Sequence, residues 1–301
     1  MSCVDVRNSA FLDLVDENAE LEEIVSGCMF TEGPVWTNAG GGSLLFSDIP
    51  GDARRSWSAA AGVSIVASPS NKSNGMAYDA AGRLLICEHS TSTLLRVEAD
   101  GSRTVLASHW EGKELNSPND VIVGKDGSIY FTDPPYGRWQ AFGLEREQEL
   151  DFCGVYRVSP SGELSLVVKD FIKPNGLCFS LDESILYIND TDRGHIRRFS
   201  VNADGSLSGG EVIYQQEGFG LELGIPDGMK LDANGNLWTS GPGGVHVTTG
   251  DGELLGLIKT AENVGNHTWG GADWSTLFIC TSTTVQQLRT KVAGNRTPGM
   301  R

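Results

Sequence analysis

The sequence predicts an all-β chain closed into a six-bladed β-propeller of four-stranded antiparallel blades, and three observations predict it. A pattern of two strands joined by a short turn recurs along the chain. The recurrences are roughly 40 to 56 residues apart, room for about two further short strands in each unit. Almost no helical periodicity competes, since EREQELDF near 145–152 is too short to carry a domain. The 38 glycines and 11 prolines are spread over the whole length, as many tight turns between short strands require.

The six units follow in order. TEGPVWTNAGGGSLLFSD (31–48) opens the series, and SNGMAYDAAGRLLICE (73–88) and PNDVIVGKDGSIYFTD (118–133) continue it. PNGLCFSLDESILYIND (174–190), PDGMKLDANGNLWTSG (226–241) and the looser NHTWGGADWSTLFICT (266–281) complete it. Each has a polar amide or acid, a small or acidic residue, an apolar run, a turn, and a second apolar run ending in a polar residue. Stretches such as LLRVEADGSRTVLAS and GVYRVSPSGELSLVV supply the outer strands. The last unit runs one strand short after VQQLRT, so ELEEIV near 20–25 is expected to complete it from the N-terminal side and remove an exposed edge. The chain is thus read as one propeller over 1–301, with blades over about 20–290, an N-terminal extension over 1–19 and a C-terminal tail over 291–301.

In a propeller the innermost strand of every blade lines a central channel, so equivalent positions at its entrance point toward one axis. Those positions hold Glu32, Asn74, Asn119, Asn175, Asp227 and, in the sixth unit, either Asn266 or His267. Asn-Gly and Asp-Gly pairs are also turn formers, and a single instance reads best as a turn. Five in register read differently, one of them a Glu before Gly-Pro with no turn role. They form a ring of oxygen donors with two carboxylates and no Lys or Arg at the same positions. Such a ring is costly to bury unless a cation neutralises it, and its hard oxygen donors suit Ca²⁺, less selectively Mg²⁺ or Mn²⁺.

Composition narrows the partners. A formal net charge of −16 repels phosphate backbones and anionic lipid surfaces, so neither nucleic acid nor membrane is expected as a partner. The start, MSCVDVRNSAFLDLVDENAELEEI, has no basic segment followed by an apolar one, and no run of 18 apolar residues follows, which predicts a soluble, cytoplasmic protein. Cys3, Cys28, Cys87, Cys153, Cys178 and Cys280 lie far apart without CxxC spacing and are expected as buried, reduced thiols. No GxSxG elbow and no phosphate-binding GxxxxGK[ST] is present, against a serine esterase and against nucleotide binding. The sequence does not specify the oligomeric state.

From about residue 20 to about 290 the chain resembles the gluconolactonase and regucalcin (senescence marker protein) group of six-bladed propeller hydrolases. The motifs that carry the resemblance are TEGPVW, SPNDVIVGKDGSIYFTDPPYG, KPNGLCFSLDESILYIND and IPDGMKLDANGNLW. The resemblance implies one divalent cation held by Glu32, Asn175 and Asp227, with Asn119 beside it in contact with substrate. The regucalcin branch has an Arg two residues before that Asn, where this chain has Ser117; SPND and FTDPPYG look instead like microbial gluconolactonases.

The implied activity is hydrolysis of a sugar lactone such as glucono-1,5-lactone, a step in carbohydrate metabolism, with Ca²⁺ as the first choice of cation and Mg²⁺, Mn²⁺ or Zn²⁺ as others. Asp227 is the expected proton acceptor, with Glu32 as ligand first and base second. Substrate contacts are expected from Asn119, Asn74, His89, His267 and Tyr136. Amides can donate and accept at once, and His89 and His267 stand at or near the ring. Tyr136, Trp139 and Phe142 lie in the long connection 134–152 and are read as a pocket wall or as packing for that loop; 214–226 is the second long connection. Asp133, with Asp48, Glu88 and Asp190 at equivalent strand exits, is expected toward the opposite mouth, as a second cation site or a hydrogen-bond girdle. Two other functions fit the same ring: an organophosphate or aryl-ester hydrolase of the paraoxonase type, and a non-catalytic propeller binding calcium or a protein.

Overall fold

The computed structural model describes residues 2–297 and 299. Its strands form six sheets around one axis, each with at least four antiparallel strands, and one separate two-stranded ribbon, His109–Trp110 with Lys113–Glu114. The innermost strands of the first four blades are Thr31–Thr37, Ser73–Tyr78, Val121–Val123 and Pro174–Phe179. Those of the last two are Met229–Leu231 and Val264–Gly270. Among the described residues, helix is confined to three short 3₁₀ segments, at 9–13, 39–41 and 136–138. No helix there is long and apolar enough to cross a membrane.

The sixth blade is assembled from both ends of the chain. Val264–Gly270, Thr276–Thr281 and Val285–Arg289 are its first three strands, and Glu22–Val25 is its fourth, Glu22 opposite Gln287 and Val25 opposite Val285. The expected closing strand is therefore in place. Residues 1–19 were expected to lie outside the blades, and the structure corrects this where it describes them. Val4–Val6 adds a fifth strand to the fifth blade, pairing with Leu254–Lys259. The Ser9–Asp13 turn then inserts the fully buried Phe11 next to Trp238, 6.4 Å between ring centroids. An apolar ring at a covered blade edge lowers free energy twice, by leaving water and by shielding unpaired strand groups. Of the expected tail, 291–297 and 299 are described; Asn295 N–H donates to the Leu231 carbonyl, so this segment crosses the mouth of the channel away from the polar ring. Residues 1, 298, 300 and 301 lie outside the described residues.

The apolar core is divided into wedges between neighbouring blades. Trp36 stacks on Phe278 between the sixth and first blades, and Phe131 on Tyr156 in the third, at 5.1 and 5.4 Å. Trp238 and Trp269 meet edge to face at 5.0 Å between the fifth and sixth. All six cysteines are free and buried in or beside these wedges, as expected. With apolar side chains packed between sheets, the axis is left to the polar residues at the strand entrances.

Local backbone aims those residues. The pairing of the innermost strand with its neighbour shifts register just after Glu32 and across Asn74 and Asn175, and in the sixth blade just before Asn266. Such irregularities re-aim side chains beside functional sites. The glycines that follow have a distinct use. A Cβ at Gly33, whose φ is +54°, would stand 2.0 Å from the Asn74 carbonyl oxygen, and one at Gly176 would stand 2.2 Å from that of Asp227. Gly176 N–H donates to that same Asp227 oxygen at 3.1 Å. The Asn-Gly and Glu-Gly pairs are thus points of close approach between successive blades, which only a residue without a side chain allows.

Candidate active site

At the entrance end of the channel lies a cavity of about 310 Å³. Its floor carries Glu32, Asn74, Asn119, Asn175 and Asp227, one residue from each of the first five blades, and His89 and Tyr136 border it. Glu32, Asn74, Asn119 and Asn175 are no more than 4% exposed, and Asp227 is 8% exposed.

The amides are linked in series. Asn74 Nδ2 donates to Asn119 Oδ1 at 2.7 Å, Asn119 Nδ2 to Asn175 Oδ1 at 2.6 Å, and Asn175 Nδ2 to Thr191 Oγ1 at 3.1 Å. Thr191 in turn donates to the Pro226 carbonyl, tying this chain of amides to the residue before Asp227. Each link fixes which way the next amide faces, so the carbonyl oxygens of Asn119 and Asn175 have assigned orientations. Among the described residues Asn74 Oδ1 and the Tyr136 hydroxyl have no hydrogen-bond partner, although both are buried.

The two carboxyls are electrostatically strained. Burial, with the charge of Asp120 adding to it, pushes Glu32 up to about 7, against the Gly33 N–H and Asn266 amide that stabilise its charged form. Burial and then the Glu32 charge hold Asp227 well above the usual carboxylate range. Neither forms an ion pair among the described residues. Two adjacent buried carboxyls without a cationic partner, and with amide oxygens beside them, are a donor set that a hard divalent cation fits. No group of three or more His, Cys, Asp or Glu among the described residues is arranged to hold a metal; the third oxygen of this set is an amide.

His89 is neutral here. Burial lowers its imidazole to about 4, against the favourable contacts to the Phe142 carbonyl and Asn119. A neutral ring carries one proton: on Nδ1 it is donated to Phe142 O at 3.0 Å, which leaves Nε2 to accept from Asn74 Nδ2 at 3.3 Å, with Asn119 Oδ1 beside it at 3.2 Å. His267 is placed elsewhere. It is fully buried, outside the cavity lining, edge-on to Trp269 at 6.2 Å, and burial lowers it to about 3. Asn266 fills the sixth ring position, its Nδ2 donating to Glu32 Oε2 at 3.2 Å.

A layer below the floor had no signature in the repeat. Lys230 Nζ donates to Asn266 Oδ1 at 3.1 Å and lies 3.7 Å from Asp120 Oδ2, placing one cation and one further anion on the channel wall. Lys230 is three residues past the ring position of its blade, so the repeat does not mark it.

The exit acids are corrected in position. Antiparallel pairing sets Thr31 beside Asp48, Ser73 beside Glu88 and Pro174 beside Asp190, so these acids lie at the same mouth as the ring. Asp48 accepts from the Met29 and Phe30 N–H groups, Asp133 from those of Asn116 and Ser117, and Asp190 from those of Ile172 and Lys173. They fasten the loop that enters each innermost strand, as a hydrogen-bond girdle. Asp133 alone of these three lacks a salt bridge among the described residues, and burial raises it to about 7.

The 134–152 connection folds over the floor. Ser117 Oγ accepts from Gly137 N–H at 2.9 Å and donates to the Pro134 carbonyl, while Arg138, 4% exposed, reaches the Asn116 and Glu147 carbonyls and the Glu114 carboxylate. This latch brings Tyr136, Trp139 and Phe142 to the cavity wall. A Cβ on Gly137 would stand 2.6 Å from Ser117 Cβ and 2.7 Å from His89 Cβ. Gly137→Ala is therefore expected to lift the loop, with about a tenfold rise in KM and faster proteolysis within 134–152; an unchanged KM and cleavage pattern would separate the latch from the site.

Comparison with known proteins adds the lineage. The family model described as the SMP-30/Gluconolactonase/LRE-like region matches residues 30–283. A gluconolactonase of Zymomonas mobilis is 36% identical over 304 residues, 93% of this chain and 84% of that protein. The solved structure of a gluconolactonase from Xanthomonas campestris superposes with a TM-score of 0.87 at 34% identity, covering 95% of this chain and 94% of that one. A regucalcin from Agrobacterium tumefaciens, described as a calcium-binding protein, shares the fold at 21% identity, with a TM-score of 0.75 and 93% and 96% coverage. A match that takes in every ring position from Glu32 to Asn266, with a relative aligned along nearly the whole chain, makes this protein a member of the SMP-30/gluconolactonase/LRE-like family.

Proposed function

We propose that this protein hydrolyses lactones, aldono-lactones such as glucono-1,5-lactone among them, with one divalent cation held by Glu32, Asn175 and Asp227. The observation that carries this reading is the pair of buried, unpaired carboxyls from the first and fifth blades on the floor of a cavity edged with amides. The names of the Zymomonas and Xanthomonas relatives support the activity, and that of the Agrobacterium regucalcin supports calcium. When bound, such a cation supplies Lewis-acid polarisation of a carbonyl and acidification of water.

The chain's own groups do the rest. The Asn74 and Asn119 side chains face the ester and orient its ring. Asp227 accepts a proton from the attacking water as oxygen adds to the carbonyl carbon. The acyl carbon–ring oxygen bond then breaks, and the ring oxygen leaves as an alcohol after taking up a proton. Burial and then the Asp227 charge raise the Tyr136 hydroxyl well above its ordinary value, so it stays protonated and able to donate to that oxygen. His89, neutral and committed to the Phe142 carbonyl, positions Asn74 and holds the loop to the floor.

Purified protein stripped by chelator should lose acid release from glucono-1,5-lactone and regain it with Ca²⁺, Mg²⁺ or Mn²⁺. No turnover of any lactone in a panel, with every cation supplied, would overturn the reading.

A further inference from the structure

The cavity changes character with height, and its upper part is not built for a polyhydroxylated ring. On the floor most donors are already engaged: the Nδ2 groups of Asn74, Asn119 and Asn175 hold one another or Thr191, and both His89 nitrogens have neighbours. Asn74 Oδ1 and the Tyr136 hydroxyl are left unpartnered. Above them the walls are mainly apolar, with Asn263 and Ser282 as the polar exceptions. Phe30 and Phe142 meet edge to face at 5.5 Å, Tyr136 and Trp139 at 5.4 Å, and Ile49 and Ile225 also line the cavity. Among the described residues no Lys or Arg lines it, although Lys173 Nζ stands 5.3 Å over the ring of Trp139 at its edge.

The rim continues this surface outward. Leu221, on the lining, is 82% exposed, and Leu223 in the same loop is 61% exposed. Met29 precedes the lining residue Phe30 and is 63% exposed; Trp139 is 43% exposed on the lining itself. Large apolar side chains left in water around one opening need a reason, because exposure is unfavourable and they cluster here at the mouth of a pocket.

We infer that the site accepts a second substrate class, lactones whose ring carries an alkyl substituent: the ester seats on the carboxyl and amide floor and the chain lies between the Phe30–Phe142 pair and the 216–225 loop. This rests on the lactonase reading above. The occupant is the substituent of the substrate itself, since the apolar wall is continuous with the floor of one cavity. The reaction is the same acyl–oxygen cleavage by water, so no further co-reactant enters.

Full burial of one methylene is a roughly fourfold gain, so even partial burial of a five-carbon chain should exceed tenfold. With Ca²⁺ supplied, kcat/KM is expected to rise at least about thirtyfold from δ-valerolactone to δ-decalactone, measured by acid release below the aggregation concentration of the longer ester. Leu221→Ser, at an exposed position that does not threaten folding, should reduce that ratio at least about threefold. Binding gives an independent readout through non-hydrolysable lactams: Kd for 6-pentyl-2-piperidinone should be at least about tenfold below that for 2-piperidinone. Turnover of δ-valerolactone and glucono-1,5-lactone with no dependence on chain length overturns this inference and leaves the lactonase reading standing. Absence of all turnover sinks the lactonase reading, and equal Kd values for the two lactams then overturn this one as well. A gain confined to aggregated substrate also overturns it, since the chain would then be meeting a surface and not the pocket.

Discussion

Asp227→Asn should cost about a thousandfold in kcat/KM, the middle of the range for a positioned proton acceptor, while the propeller stays folded. The substitution is nearly isosteric and keeps an oxygen on the floor, but it removes one of two adjacent buried charges. Two opposite effects on stability follow. Without cation, the variant should melt above the chelated parent, because Asp227 is raised by burial and by the Glu32 charge, and that repulsion disappears. With cation, the order should reverse. A ligand at one hundred times its Kd stabilises the parent by about 2.7 kcal/mol, which the variant should largely forgo. Thermal melts of both proteins, with chelator and with Ca²⁺, read all four states. Near-normal turnover in Asp227→Asn would remove this carboxylate from the proton-transfer role, and an unchanged Ca²⁺-induced shift would remove it from the ligand set.

The second large effect is a pH dependence of opposite sign to that of salt-bridged carboxylates. In the cation-free protein Glu32 is held up at about 7 from an ordinary value of 4.5. Between those values the folded state keeps a proton that the unfolded state has released, so stability falls as pH rises through that window and the loss is complete above 7. Each pH unit is worth up to 1.36 kcal/mol for one such group, giving about 3 kcal/mol in all. Asp227 acts in the same direction. Denaturant titrations of cation-free protein from pH 5 to 8 should show this decline. Because the cation needs deprotonated carboxylates, saturating Ca²⁺ should flatten the decline or reverse it. A cation-free protein that gains stability across that window would contradict the unpaired state of the two carboxyls.

Much of this molecule is written in period two. A strand buried on both faces, repeated with a fixed polar leader, forces leaders from distant segments to one axis; Glu32, Asn119 and Asp227 are 87 and 108 residues apart along the chain and share one cavity. The closing strand was legible for the same reason, as an unmatched outer edge. Three features were not. The mouth at which the exit acids lie follows from strand direction and not from residue type: each unit is a hairpin, so the end of its second strand returns Asp48 to the side of Thr31. His267 and Asn266 could not be told apart because the register shift between Val264 and Asn266 decides which neighbour meets the axis. The Phe142 carbonyl that fixes His89 and the Ser117 latch on the 134–152 loop are backbone contacts across long intervals, which leave no residue-type signal. Ser117 has a use of its own: a small hydroxyl there lets the loop settle where a long side chain would prop it open.

The sixth blade takes three strands from one end of the chain and its fourth from the other. During synthesis Glu22–Val25 emerges early and has no mate until Val285–Arg289 has left the ribosome, so the toroid cannot be finished in instalments. Competence at the hub is then all or nothing: a truncated polypeptide carrying every residue from Glu32 to Asp227 would still be an open arc, with its two acids free to drift apart.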